Sequence, residues 1–394
     1  MPDITLQRFR RVLLDASSGP LHPVARDTLL AAMDAGWADP RRLHREGRQA
    51  RRLLDQAREV LAAGLGVRPP EVSFLPSGPT GLTHGISGLM FAARRRGARV
   101  VAGAVEHSSV LVPGRYRAAT EEDPTLFEEV GVDGFGRIDL TAWEAALGRP
   151  GTVVAALQSV NAEVGTRQPV AAAREGAARC GIPLVVDAMA GLGRDPVPSD
   201  YDVLVGDARS WGGPVGVGLL VVPERTRWQL PGPVGEIELG RTDVEPSVPL
   251  AMAAAEAWQQ TEAVREQDSA EARDLVDRIR AAATGIPDTE VVGDPVGRVA
   301  HVTTFSCLFV DGEAIVDELD RRGFAVASGS ACTASTLAPS HVLAAMGVLT
   351  HGNVRVTLPL AAIDPDRAAG VDAFCAALPG AVAAVRARLG TDRL

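Results

Sequence analysis

Between residues 71 and 222, short uninterrupted apolar runs alternate with stretches whose apolar positions recur every three or four residues. The runs are EVSFL (71–75), RVVAGA (99–104), TVVAALQ (152–158), PLVVDA (183–188), DVLVGDA (202–208) and GVGLLVV (216–222). Continuous rather than alternating hydrophobicity marks strands covered on both faces. Between the runs lie helical stretches such as GLTHGISGLMFAARRRG (81–97) and PVAAAREGAARCG (169–181). Strand and helix in alternation predict an α/β architecture, a mostly parallel sheet flanked by helices.

Before this region, residues 23–65 read as helices, closed by Gly64, Gly66 and the pair Pro69-Pro70. After Pro249 the texture changes. A long helical run (250–283) precedes the strands VAHVTTFSCLFV (299–310) and NVRVTL (353–358). Helices over 311–323, 340–347 and 365–390 surround those strands. The division expected is an N-terminal segment 1–14 packing on the small domain, a large α/β domain 15–249, and a small α+β domain 250–394.

Composition narrows the function. The 394 residues carry a net charge of −9, which argues against a general nucleic-acid binder. No apolar run reaches the roughly 18 residues of a membrane span, and Asp3, Arg8, Arg10 and Arg11 leave no room for a secretory signal. Cys180, Cys307, Cys332 and Cys375 form no CxxC pair, so neither a metal site nor a disulfide framework is expected. A cytoplasmic protein is the expectation. The chain contains no lysine; all 40 basic residues counted with lysine are arginine. No side-chain amine is available to form an imine.

Four motifs carry chemistry. FLPSGPTGLTHGI (74–86) joins a strand to a helix through Gly78, Pro79, Thr80 and Gly81, and the free N–H groups at a helix start suit a phosphate. VEHSSV (105–110) sets His107 just after a strand. VVDAMAGLG (185–193) ends a strand on Asp187, a carboxylate that burial makes costly without a partner, so a protonated heterocycle or an arginine such as Arg209 should face it. SGSACT (328–333) places Cys332 in a small-residue loop suited to a reactive thiol, and Arg355 on the next strand is a fork for a carboxylate. The other three cysteines sit in apolar contexts and read as core.

Together these segments resemble the cysteine desulfurases, in the class V aminotransferase group of fold type I pyridoxal-phosphate enzymes. The resemblance runs in order through LLDASSGPLHP (13–23), SGPTG (77–81), EHSSVL (106–111), VNAEVGTRQPV (160–170), VVDAMAGLG, DARSWGGPVGVG (207–218), SGSACT, PSHVLAAMG (339–347) and NVRVTL. It implies a seven-stranded large-domain sheet and a dimer with sites at the subunit interface. It also implies that His107 stacks on the pyridoxal ring and Asp187 pairs with the ring nitrogen. Thr80 would touch the phosphate, Arg355 would hold the substrate carboxylate, and Cys332 would take the sulfur as a persulfide.

The departures concern one ligand. The family motif Ser-Ala-His-Lys reads here Asp207-Ala208-Arg209-Ser210, so the cofactor lysine is Ser210 and a phosphate-binding serine is Asp207. Two partners of the ring oxygen have become Ala162 and Ala190, and the threonine lent by a neighbouring subunit falls near Glu245. From these changes no bound cofactor is expected, and none as a Schiff base. The function expected is a degenerate desulfurase relaying persulfide through Cys332. The alternatives are a regulator pairing with an active desulfurase or sulfur acceptor, an enzyme holding a pyridoxal or pyridoxamine cofactor non-covalently, and a decaying paralogue.

Overall fold

The structure is a computed structural model that describes residues 11–233, 235–328 and 339–390. Twelve strands occur among them: β1 (Val12–Leu13), β2 (Val72–Leu75), β3 (Arg99–Gly103), β4 (Phe127–Val130), β5 (Thr152–Gln158), β6 (Leu184–Asp187), β7 (Val203–Asp207), β8 (Gly218–Val221), β9 (Thr289–Val292), β10 (Val302–Cys307), β11 (Phe324–Ala325) and β12 (Asn353–Thr357). Seven of them form one sheet in the order β2-β8-β7-β6-β5-β3-β4. Every neighbouring pair is parallel except the two that β8 makes with β2 and β7. All seven residues of β5 are buried, which is why its sequence reads as an unbroken apolar run. The architecture is the α/β fold expected, a mostly parallel sheet between helical layers.

Strand β4 was not anticipated. Its Phe-Glu-Glu-Val sequence sits at the sheet edge, where Glu128 pairs with Arg99 and Arg149 and Glu129 with Arg115. An edge strand needs only one covered side, so its hydrophobic signal is weak.

Helix Val248–Thr284, 37 residues and roughly 55 Å long, joins this sheet to an antiparallel one of order β12-β10-β9. Its first half packs Trp258 edge-on against Trp211 under the large sheet, and its second half buries Leu275, Val276 and Ile279 with Phe305, Phe374 and Leu378. Helix Arg367–Leu389 is long and apolar enough to cross a membrane, yet it turns Phe374, Leu378, Val382 and Val385 into this second core. Strand β1 pairs in parallel with β11, and Leu14 lies buried in the same core.

Candidate functional site

The parallel strands deliver the site. Asp187 ends β6 and Asp207 ends β7, on neighbouring strands, at the carboxyl edge where open α/β sheets place their ligands. Asp187 is buried and accepts one backbone N–H, from Met189 at 2.8 Å. Burial lifts its pKa to about 7; the Met189 bond opposes that rise and the nearby charge of Asp207 adds to it.

Asp207 is fully engaged. Its carboxylate accepts the Gly78 N–H at 3.0 Å, the Arg209 N–H at 3.2 Å, and the Arg209 guanidinium at 2.8 and 3.1 Å. Arg209 therefore pairs with Asp207 rather than with Asp187, because the 3-10 turn Ala208–Trp211 folds it back onto the acid two residues earlier. Gly78 opens helix Gly78–Ala93, capped by the Ser77 hydroxyl, which accepts from Thr80 N–H at 3.2 Å and lies 2.9 Å from the Thr80 hydroxyl. A Cβ at Gly78 would come within 2.2 Å of the Met189 sulfur, so any larger residue there would have to displace the Met189 side chain.

His107 caps helix Ser108–Thr120, its Nδ1 accepting the Ser109 N–H at 3.1 Å. Burial lowers its pKa, with His341 and Arg209 acting in the same direction and the charge of Asp207 opposing them. The Ser210 hydroxyl donates to the Leu192 carbonyl at 2.7 Å, while the Ser210 carbonyl receives Arg194 Nε at 3.1 Å. Ala162 is exposed, and Ala190 packs against Val160, Val299 and Val302.

Two buried carboxylates escaped the sequence reading. Glu106, immediately before His107, accepts Gln158 N–H at 3.0 Å through one oxygen while the other has no hydrogen-bond partner. Burial, with the Asp187 charge behind it, holds its pKa well above the usual carboxylate range. Glu163, inside the NAEVG segment, is lifted by burial to about 7, against the pull of a Ser340 hydrogen bond and the Arg355 charge. Glu106 stands three residues beyond β3, where the signal that identified Asp187 could have found it; Glu163 lies five residues beyond β5 and carries no such signal.

Arg355, on β12, is 9% exposed; its Nη2 lies 3.9 Å from Asp15, and among the described residues its Nε has no hydrogen-bond partner. Cys332 lies outside the described residues. Of the other thiols, Cys307 is buried and Cys375 half-buried, but Cys180 is exposed as the first residue beyond helix Val170–Arg179, where no second element covers it. Among the described residues no group of three His, Cys, Asp or Glu side chains is placed to hold a metal ion.

The sheet order and the acid-ended central strands define a fold type I aminotransferase-like protein. The NifS-like protein structure superimposes with a TM-score of 0.85 at 20% identity, covering 95% of this chain and 99% of that one. The Aminotransferase class-V family matches residues 15–364. The IscS-like cysteine desulfurase of Mycobacterium tuberculosis is 33% identical over 391 residues, 94% of this chain and 96% of that protein. Cysteine desulfurase IscS of Dictyoglomus turgidum is 30% identical over 363 residues, 89% and 90% of the two chains. The chain belongs to the cysteine desulfurase family of class-V aminotransferases, whose work is sulfur mobilisation.

That membership corrects the expectation that no cofactor is bound, because this family is pyridoxal-phosphate dependent. The changes at Ser210, Asp207, Ala162, Ala190 and Glu245 all bear on the anchor, the phosphate or the ring oxygen, and leave Asp187 and His107 in place. Asp187, still buried and still largely free, fits a protonated ring nitrogen; Ser210 does not fit an imine.

Proposed function

We propose that this chain serves sulfur mobilisation by carrying a persulfide on Cys332, received from a donor persulfide and passed to an acceptor. The carrying observation is that both flanks of the Cys332 segment are tied to the site. Ala327, five residues before it, exchanges two backbone hydrogen bonds with Arg355, and Ser340, eight residues after it, is bonded to Glu163. Five residues of chain reach at most about 18 Å, which keeps the thiol within range of the site. In the transfer, the Cys332 thiolate attacks the outer sulfur of the donor persulfide. The donor sulfur–sulfur bond breaks, the donor leaves as a thiolate, and nothing is oxidised or reduced overall.

The test is incubation with a small-molecule persulfide, followed by alkylation and mass spectrometry of each cysteine peptide. The Cys332 peptide should gain one sulfur faster than that of the exposed Cys180, and Cys332→Ser should lose this fast labelling while melting as the parent does. Equal labelling of Cys332→Ser would defeat the reading.

Asp187 favours a second reading, in which the site holds the family's cofactor non-covalently. Asp187 would meet the ring nitrogen and His107 the ring face, with Arg355 left for a substrate carboxylate. Once bound, the cofactor would supply an electron sink for the carbon bearing the substrate amine. Binding of pyridoxamine 5′-phosphate that Asp187→Ala abolishes would support this; binding that Asp187→Ala leaves intact would count against it.

A further inference from the structure

The amino end of helix Gly78–Ala93 already carries an anion. The first N–H groups of a helix have no partner within it and attract negative charge. Here Asp207, from the end of β7, supplies that charge through its bond to Gly78. The carboxylate is 7% exposed at its side chain, whereas the arginine forked onto it is 38% exposed. The acid is fixed by the strand; the cation stands on the open side. The second observation at the same place is Asp187, buried with a single hydrogen bond and close enough for the charge of Asp207 to raise its pKa. One carboxylate is spent on the helix and its arginine, and the other is left for a cationic group.

We infer that Asp207 is an internal competitor for the anion subsite at this helix end, with Arg209 as its exchangeable counter-ion. A phosphate-bearing ligand gains the subsite only when the carboxylate gives up Gly78 and the guanidinium turns from Asp207 to the phosphate. Asp207 thereby sets which ligands the site prefers: the ring subsite at Asp187 is open, and the phosphate subsite must be won. The inference rests on the reading that the site takes a pyridine ring.

The experiment compares two ligands that differ only in the phosphate and carry no aldehyde to react elsewhere. Calorimetry or equilibrium dialysis at fixed salt gives the Kd of pyridoxamine 5′-phosphate and of pyridoxamine for the parent chain and for Asp207→Ser. The phosphate ester should bind at least about tenfold more tightly to Asp207→Ser, while pyridoxamine changes by less than about threefold. Adding Arg209→Ala to Asp207→Ser should remove most of the gain, and inorganic phosphate should compete with the ester. Should Asp207→Ser fail to fold, the isosteric Asp207→Asn runs the same comparison. An unchanged Kd for the ester, or an equal gain for both ligands, overturns the competitor and leaves the ring reading standing. Failure of every variant to bind either ligand sinks both.

Discussion

Ala327 and Arg355 exchange their backbone hydrogen bonds, Ala327 N–H to Arg355 O at 3.1 Å and Arg355 N–H to Ala327 O at 2.7 Å. Ala327 is thus fastened to the strand that carries the buried guanidinium of Arg355.

Arg355→Ala removes the side chain and leaves that backbone pair in place. Persulfide loading of Cys332, followed by timed alkylation, should slow on the order of tenfold, about what a hydrogen bond to a charged group contributes. Arg355→Lys should restore only part of the rate, because an ammonium lacks the planar fork.

Asp187 makes stability depend on pH with a definite sign. Its pKa is about 7 in the folded chain against 3.8 for a free carboxyl, chiefly through burial. Between roughly pH 4 and 7 the folded state keeps a proton that the unfolded chain has released. The stabilisation is complete below that window, falls as pH rises through it, and is gone above about pH 7. Asp187→Asn should therefore raise the melting temperature at pH 8, by an amount worth at most about 4 kcal/mol, and change it little at pH 4. Melts at the two pH values provide the check.

Gly218 begins β8, and a Cβ there would lie 2.2 Å from the Ser77 carbonyl carbon and 2.3 Å from its oxygen. Ser77 caps helix Gly78–Ala93, and its backbone cannot step aside as a side chain can. Gly218→Ala should cost about 1–3 kcal/mol or more, read as a lower urea midpoint.

Asp268, on helix Val248–Thr284, joins the two cores by charge. It meets Arg367 at 2.9 Å and Arg194 at 3.6 Å, both arginines being buried. Burial brings Arg194 down to about 10 even with Asp268 beside it. Asp268→Ala leaves Arg194 without a carboxylate and Arg367 with Glu271 alone, and should cost about 3–5 kcal/mol in chemical denaturation.

Much of this was legible along the chain because it depends on local pattern. Strand β5 reads as a strand since both its faces are covered, and Asp187 reads as a site since an acid closing an apolar run must find a partner. The absent lysine is composition alone. Edge strand β4 was lost because covering one face demands too few apolar residues. The bond from Asp207 to Gly78 joins residues 129 apart in the chain, and Glu163 meets Ser340 across a longer gap. Local periodicity can show that an acid ends a strand; it cannot show which helix start or which arginine docks against it. Strand register and helix packing decide that, by bringing together hydrogen-bonding groups whose separation in sequence carries no signal.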